Sequence, residues 1–108
     1  MNRPMSYTAA HAWERQAAAR DVSAVARSSR GFMRAYQSAG SWAKLSPWWK
    51  RRRDGFLARH IAQAMRGENI WERTRHGTWR PTRRSLAMIM WAFMPPRKPA
   101  GCRPGDWA

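Results

Sequence analysis

The sequence predicts an all-α fold, a small single domain of about three main helices with flexible termini. Three observations carry that expectation. The chain has 108 residues, the size of one small domain. Apolar residues recur at helical spacing in three segments, each with a recognisable start or stop residue. Residues 1–7 and 95–108 contain prolines and no such period, so they read as a flexible N-terminus and a Pro/Gly-rich flexible tail around a helical domain at 8–94.

The first helix is expected from Thr8, a candidate N-cap, to about Ser38, with Gly31 as a candidate break. At about 100° per residue, Ala18, Val22, Val25, Ser29, Phe32, Met33 and Tyr36 fall on one face. Arg20, Arg27 and Arg34 line up opposite them, and Trp13 begins that basic row instead of joining the apolar face.

Residues 38–46, SAGSWAKLS, form a small-residue connector. Ser46 then reads as an N-cap and Pro47 as the first residue of a second helix, which runs to about Arg66 and stops at Gly67. Trp49, Phe56, Leu57, Ile61, Ala64 and Met65 make its buried side. Arg52, Arg59 and Arg66 repeat at seven-residue steps along its flank, and Trp48 projects toward that flank. Arg53 falls on the apolar side, where a long stem lets the charge snorkel to water.

The stretch IWERTRHGTWRPT, 70–82, fits either a hairpin around His76-Gly77 or a short helix followed by a loop, and the second reading is preferred. A third helix is expected from Pro81 or Thr82 to Met94, before Pro95-Pro96. Its body, Leu86 to Met94, is apolar nearly all round and therefore central to the core. Eight Trp, three Phe, two Tyr and seven Met supply bulk for a core that such a short chain would otherwise struggle to fill.

Charge is the strongest functional signal. Twenty-one Lys+Arg stand against six Asp+Glu, a formal net charge of +15. The compact state repels itself at that density, and a polyanion relieves the repulsion. Arginine exceeds lysine by 18 to three; a GC-rich coding bias produces the same imbalance, but guanidinium forks also bind phosphates bidentately and stack on rings. The expected contacts to nucleic acid or another anionic partner are Trp48, Arg51, Arg52, Arg59, Arg66, Arg73, Arg75, Trp79, Arg80, Arg83 and Arg84. Arg20, Arg27 and Arg34 form a secondary basic face. The bland alternative is a set of solvated helix faces, with Trp79 folded back on the third helix; the scarcity of carboxylates argues against ordinary charge-paired faces.

Other chemistry is poorly supplied. His11, His60 and His76 are scattered, with His60 on the apolar side of the second helix as a packed histidine. The six carboxylates form no spaced pair, there is no glycine-rich phosphate loop, and Cys102 has no metal or disulfide partner. No enzyme, cofactor or metal site is expected. A lone cysteine and the lack of a secretory signal point to a reducing, cytoplasmic location. The longest apolar run, LAMIMWAFM, has nine residues, short of the roughly 20 that span a bilayer.

Gly77, Pro81, Thr82, Leu86, Ile89 and Phe93 have the spacing of a G-x-x-x-P-[ST] turn leading into an apolar helix. Together with IAQAM at 61–65, they make residues 61–93 resemble a helix-turn-helix of the Cro/phage-repressor type. That resemblance implies a recognition helix in GENIWERTRH, 67–76, directed at the major groove. Thr74 stands where the family packs an apolar residue, and residues 1–45 have no counterpart.

The expected function is thus a small, strongly basic, non-enzymatic protein that binds DNA or RNA, of the kind carried by phages and other mobile elements. The rival is a regulator or inhibitor that docks on an acidic host protein, since Trp and Arg dominate interface hot spots as well. A membrane surface is less favoured, because the helices have faces suited to packing on each other.

Overall fold

A computed structural model describes residues 3–64, 66 and 69–105. It is mostly helical, but not all-α and not three-helical. Among the described residues there are six helical segments, α1 Tyr7–His11, α2 Glu14–Ala19, α3 Ala24–Arg27, α4 Phe32–Ala39, α5 Pro47–Ala64 and α6 Arg83–Ile89. Only α5, with 18 residues, is long, and α1 and α3 are single turns. Two short strands, β1 Trp71–Arg73 and β2 Trp79–Pro81, pair between α5 and α6.

The expected first helix is divided into α1 to α4, and the divisions have local causes. Ser6, not Thr8, caps α1 by accepting from the Ala9 amide at 3.1 Å. Asp21 and Ser23 adopt left-handed backbone, φ 53° and 55°, which ends α2 and turns the chain into α3. Gly31 is then indispensable, because a Cβ there would lie 2.2 Å from the Val25 carbonyl oxygen. The chain doubles back tightly at that glycine, and α4 starts immediately after it. These breaks remove the register that aligned Arg20, Arg27 and Arg34, and they turn Trp13 inward to 3% exposure. Trp13 belongs to the core and not to a basic row.

The second helix forms as expected. Ser46 Oγ accepts from the Trp49 amide at 3.4 Å, and Pro47 occupies the first turn, where its missing N–H is harmless. Met65 and Gly67, assigned to the buried side and the stop of this helix, lie outside the described residues. Arg53 does not snorkel: it is 1% exposed and lies among the largest buried side chains.

The stretch 71–81 is a hairpin and not the preferred short helix and loop, while Glu68 lies outside the described residues. Trp71 pairs with Pro81, Glu72 with Arg80 and Arg73 with Trp79 in an antiparallel ladder. Two cross-strand pairs carry a side-chain attraction: Arg80 Nε donates to Glu72 at 2.7 Å, and the Arg73 guanidinium lies 4.4 Å from the Trp79 ring centroid. Thr74 and Thr78 close the loop through amide and hydroxyl bonds, and Gly77 takes φ 83°. Side-chain pairing across the strands and turn-forming threonines outweigh the weak helical period. Residues 69–76, within the stretch assigned to a recognition helix by resemblance, contain strand and turn and no helix.

Thr82 caps α6, which ends at Ile89 and not at Met94. Ala92 adopts a left-handed conformation, φ 59°, and the Phe93 amide reaches back to the Met88 carbonyl at 3.1 Å, closing the helix before the prolines. Phe32, Met33, Leu86, Ile89 and Met90 are fully buried in one core cluster.

The termini are also more engaged than the sequence predicts. The Met5 amide donates to the Ala92 carbonyl at 2.7 Å, and Tyr36 Oη donates to the Met5 carbonyl at 2.7 Å. Trp71 Nε1 donates to Pro96 O at 2.9 Å, Gln16 Nε2 to Pro104 O at 3.1 Å, and Cys102 is 1% exposed. Through Gly105 the tail packs across the domain. Its carbonyls accept from the Trp71 and Gln16 side chains, which composition does not reveal.

Candidate nucleic-acid interface

The guanidinium groups separate into two kinds. One kind is used inside the molecule. Arg20 Nη1 donates to Pro81 O at 2.7 Å and its Nη2 approaches Glu72 at 3.4 Å, so it ties α2 to the hairpin. Burial is the main reason its pKa falls below the ordinary value, with the neighbouring Arg80 charge acting in the same direction. Arg27 Nε donates to Val22 O at 2.7 Å, and Arg34 pairs with Glu14 and donates to Tyr7 Oη. The proposed secondary basic face therefore does not exist as a row; its three members each brace a different joint. Arg80 is likewise held by Glu72.

The most buried of these cations is Arg53. Its Nε donates to Trp91 O at 2.6 Å and its Nη2 to Ala92 O at 3.0 Å, the carbonyls just past α6. The Trp42 ring lies against it, 4.9 Å from centroid to guanidinium carbon. Burial lowers its pKa, opposed by the negative charge of Asp54 and by that of Tyr36 once its phenol ionises.

The second kind faces solvent; α5 carries three of these side chains, Arg51, Arg52 and Arg59, while Arg3, Arg15, Arg30, Arg97 and Arg103 are exposed elsewhere. Only a narrow strip of α5, centred on Arg53 and Leu57, is buried. Trp48, Arg51, Arg52, Gly55 and Arg59 are all exposed, and i, i+4, i+7 and i+11 spacing places Trp48, Arg52, Gly55 and Arg59 in one stripe. Arg66 is exposed in a turn after α5. Trp48 is 50% exposed and stands edge-to-face against Trp49, with centroids 4.7 Å apart. The Arg52 guanidinium lies 4.8 Å from the Trp48 centroid and 5.7 Å from that of Trp49. This explains the adjacent tryptophans: one anchors α5 on Phe32 and Trp91, and the other stays outside beside a cation. Among the described residues, Arg51, Arg52, Arg59, Arg66 and Arg75 form no ion pair.

Two shallow grooves involve α5, the first of them lined by stripe residues. One, about 330 Å³, is lined by Arg52, Gly55, Phe56, Arg59 and Trp91. The other, about 310 Å³, lies between α5 and α6 and is lined by Val22, Ser23, His60, Arg83, Arg84 and Ala87. Phe56 and His60, stacked at 3.9 Å, stand between the two. Arg83 bonds the Arg20 and Asp21 carbonyls and Arg84 bonds Gln63, so both guanidinium groups are fixed at the second groove. Sequence reasoning placed His60 among packed residues and passed over Gly55 and Trp91. The Phe56/His60 spacing of four on one helix is the signal that marks a ring pair.

Trp79 is half-buried, with the Arg73 guanidinium against its ring, and Arg73 Nη1 also donates to Gly77 O at 2.7 Å. Arg75 alone projects from the tip without such a contact. None of the described helices is long and apolar enough to cross a membrane. Compared with known proteins, the chain matches no family model, no curated protein and no solved structure.

Proposed function

We propose that this chain is a small, non-enzymatic nucleic-acid-binding protein whose contact surface is the exposed side of α5 together with the start of α6. The observation that carries this reading is the cluster of exposed arginines beside an exposed indole on α5. Arg20, Arg27, Arg34, Arg53 and Arg80 are consumed by internal carbonyls and carboxylates. Arg51, Arg52 and Arg59 are left together on one helix with an exposed indole. A helix face with several cations and no paired carboxylate gains stability from an external polyanion. Guanidinium groups suit phosphate oxygens, and the Trp48 ring offers a base or sugar an apolar platform.

Immobilised protein exposed to a mixed DNA and RNA pool at about 100 mM salt should retain nucleic acid and release it as salt rises. Engagement of some six phosphates gives a log–log salt slope of about −5 on duplex DNA. Failure to bind either polymer at any salt would overturn the proposal. The same Trp48–Arg52 pair would then favour the second reading, an acidic protein partner, for which a one-to-one complex with a salt-sensitive affinity is the expected finding.

A further inference from the structure

Four aromatic rings form a near-parallel run from the core to the surface. Phe32 and Trp91 stack with centroids 4.9 Å apart, Trp91 and Phe56 at 5.2 Å, and Phe56 and His60 at 3.9 Å, with interplanar angles of 30°, 24° and 17°. Phe32 is fully buried, whereas His60 is half-buried and lines the groove between α5 and α6. Among the described residues, no further ring stacks beyond His60.

His60 is held in this attitude. Its Nδ1 donates to the Phe56 carbonyl at 2.9 Å, which in the neutral ring leaves Nε2 as an acceptor. Arg83 and Arg84 line the same groove and are themselves anchored, one on the carbonyls closing α2 and the other on Gln63. Cations fixed before binding lose little freedom when a phosphate arrives.

We propose that this groove seats one unpaired nucleobase against His60, extending the ring run by one, with an adjacent phosphate held by Arg83 and Arg84. The inference rests on the nucleic-acid reading above and names its substrate class: single-stranded DNA or RNA in preference to duplex. A paired base has its faces covered by its neighbours in the stack and offers only its edges. An unpaired base can place a face on a protein ring.

The test compares an unstructured oligonucleotide, the duplex of the same sequence and inorganic polyphosphate by fluorescence anisotropy. Three proteins are used, wild type, His60→Phe and His60→Leu; the first variant keeps a ring and the second keeps apolar bulk without one. Wild type and His60→Phe should prefer the single strand. His60→Leu should lose about tenfold in single-strand affinity, with duplex and polyphosphate binding unchanged. In the unmodified protein, the His60 ring-proton resonances should move upfield with single strand and stay in place with duplex. Equal single-strand binding by wild type and His60→Leu, a preference for duplex, or an unmoved His60 resonance would overturn this inference. Binding of neither strand form by wild type would instead remove the nucleic-acid reading beneath it.

Discussion

Arg53 and Trp91 are joined by a bond in which the buried Nε of the arginine donates to the tryptophan carbonyl at 2.6 Å. A second donation, to Ala92, makes the side chain a two-point anchor between the middle of α5 and the end of α6. The helix that presents the exposed arginines is thus fixed in the molecule by one that is hidden. Replacing Arg53 with Met keeps the stem but takes the guanidinium donor from the buried Trp91 carbonyl and leaves the Ala92 carbonyl with the Met5 amide. Such a loss costs about 2–4 kcal/mol in urea unfolding, with Arg53→Lys intermediate because a single ammonium lacks the fork.

Two glycines should respond in opposite senses to alanine. At Gly31 the added methyl meets Val25 O at 2.2 Å, with backbone on both sides of the contact, so nothing can yield cheaply. Gly31→Ala should destabilise by about 3 kcal/mol or more, a large effect for one methyl. At Gly55 an added Cβ meets only the Arg59 guanidinium, at 4.0 Å. Gly55→Ala should stabilise by about 0.5–1 kcal/mol through helix propensity. Thermal melts of the two variants check both signs.

Tyr36 gives the stability an alkaline limit. Burial raises its phenol pKa, opposed by the positive charge of Arg53, and the neutral hydroxyl donates to Met5 O. The native state therefore holds this proton more tightly than the unfolded chain does. The associated stability is complete below the unfolded pKa of about 10 and is lost as pH rises through the higher native value. Denaturant midpoints should decline above about pH 10. Tyr36→Phe should flatten that decline while losing about 1 kcal/mol at neutral pH with the hydrogen bond.

The division between internal and exposed arginines makes a further separable prediction. Arg52→Gln and Arg59→Gln should each weaken nucleic-acid binding at low salt and reduce the salt slope by about one, with little change in melting temperature. Arg27→Gln should do the reverse, because its Nε bonds the Val22 carbonyl inside the molecule. Binding isotherms at several salt concentrations, paired with melts, distinguish the two classes.

The sequence carried α5 well because its start is written in local residues, Ser46 and Pro47, and its exposed flank in simple spacing. The turn at Gly31 was visible as a glycine, but the reason for it was not, since that depends on a carbonyl six residues away meeting it in space. The hairpin was underread because its strands are only three residues long and are held by pairs across the ladder, such as Glu72 with Arg80. The basic row at Arg20, Arg27 and Arg34 needs one helical register across the segment, which the left-handed Asp21 and Ser23 cancel. For the candidate site, Trp48, Arg52 and Arg59 were legible from periodicity. The His60 groove was not, because α6 completes it from across the fold.

The Ala92 oxygen receives both the Met5 amide and the Arg53 guanidinium. The chain's opening segment and its central helix therefore pull on the same atom from different directions. Shortening or tagging the start of the polypeptide would alter the seating of the guanidinium as well, so a change far from α5 in sequence can reach the surface that α5 displays.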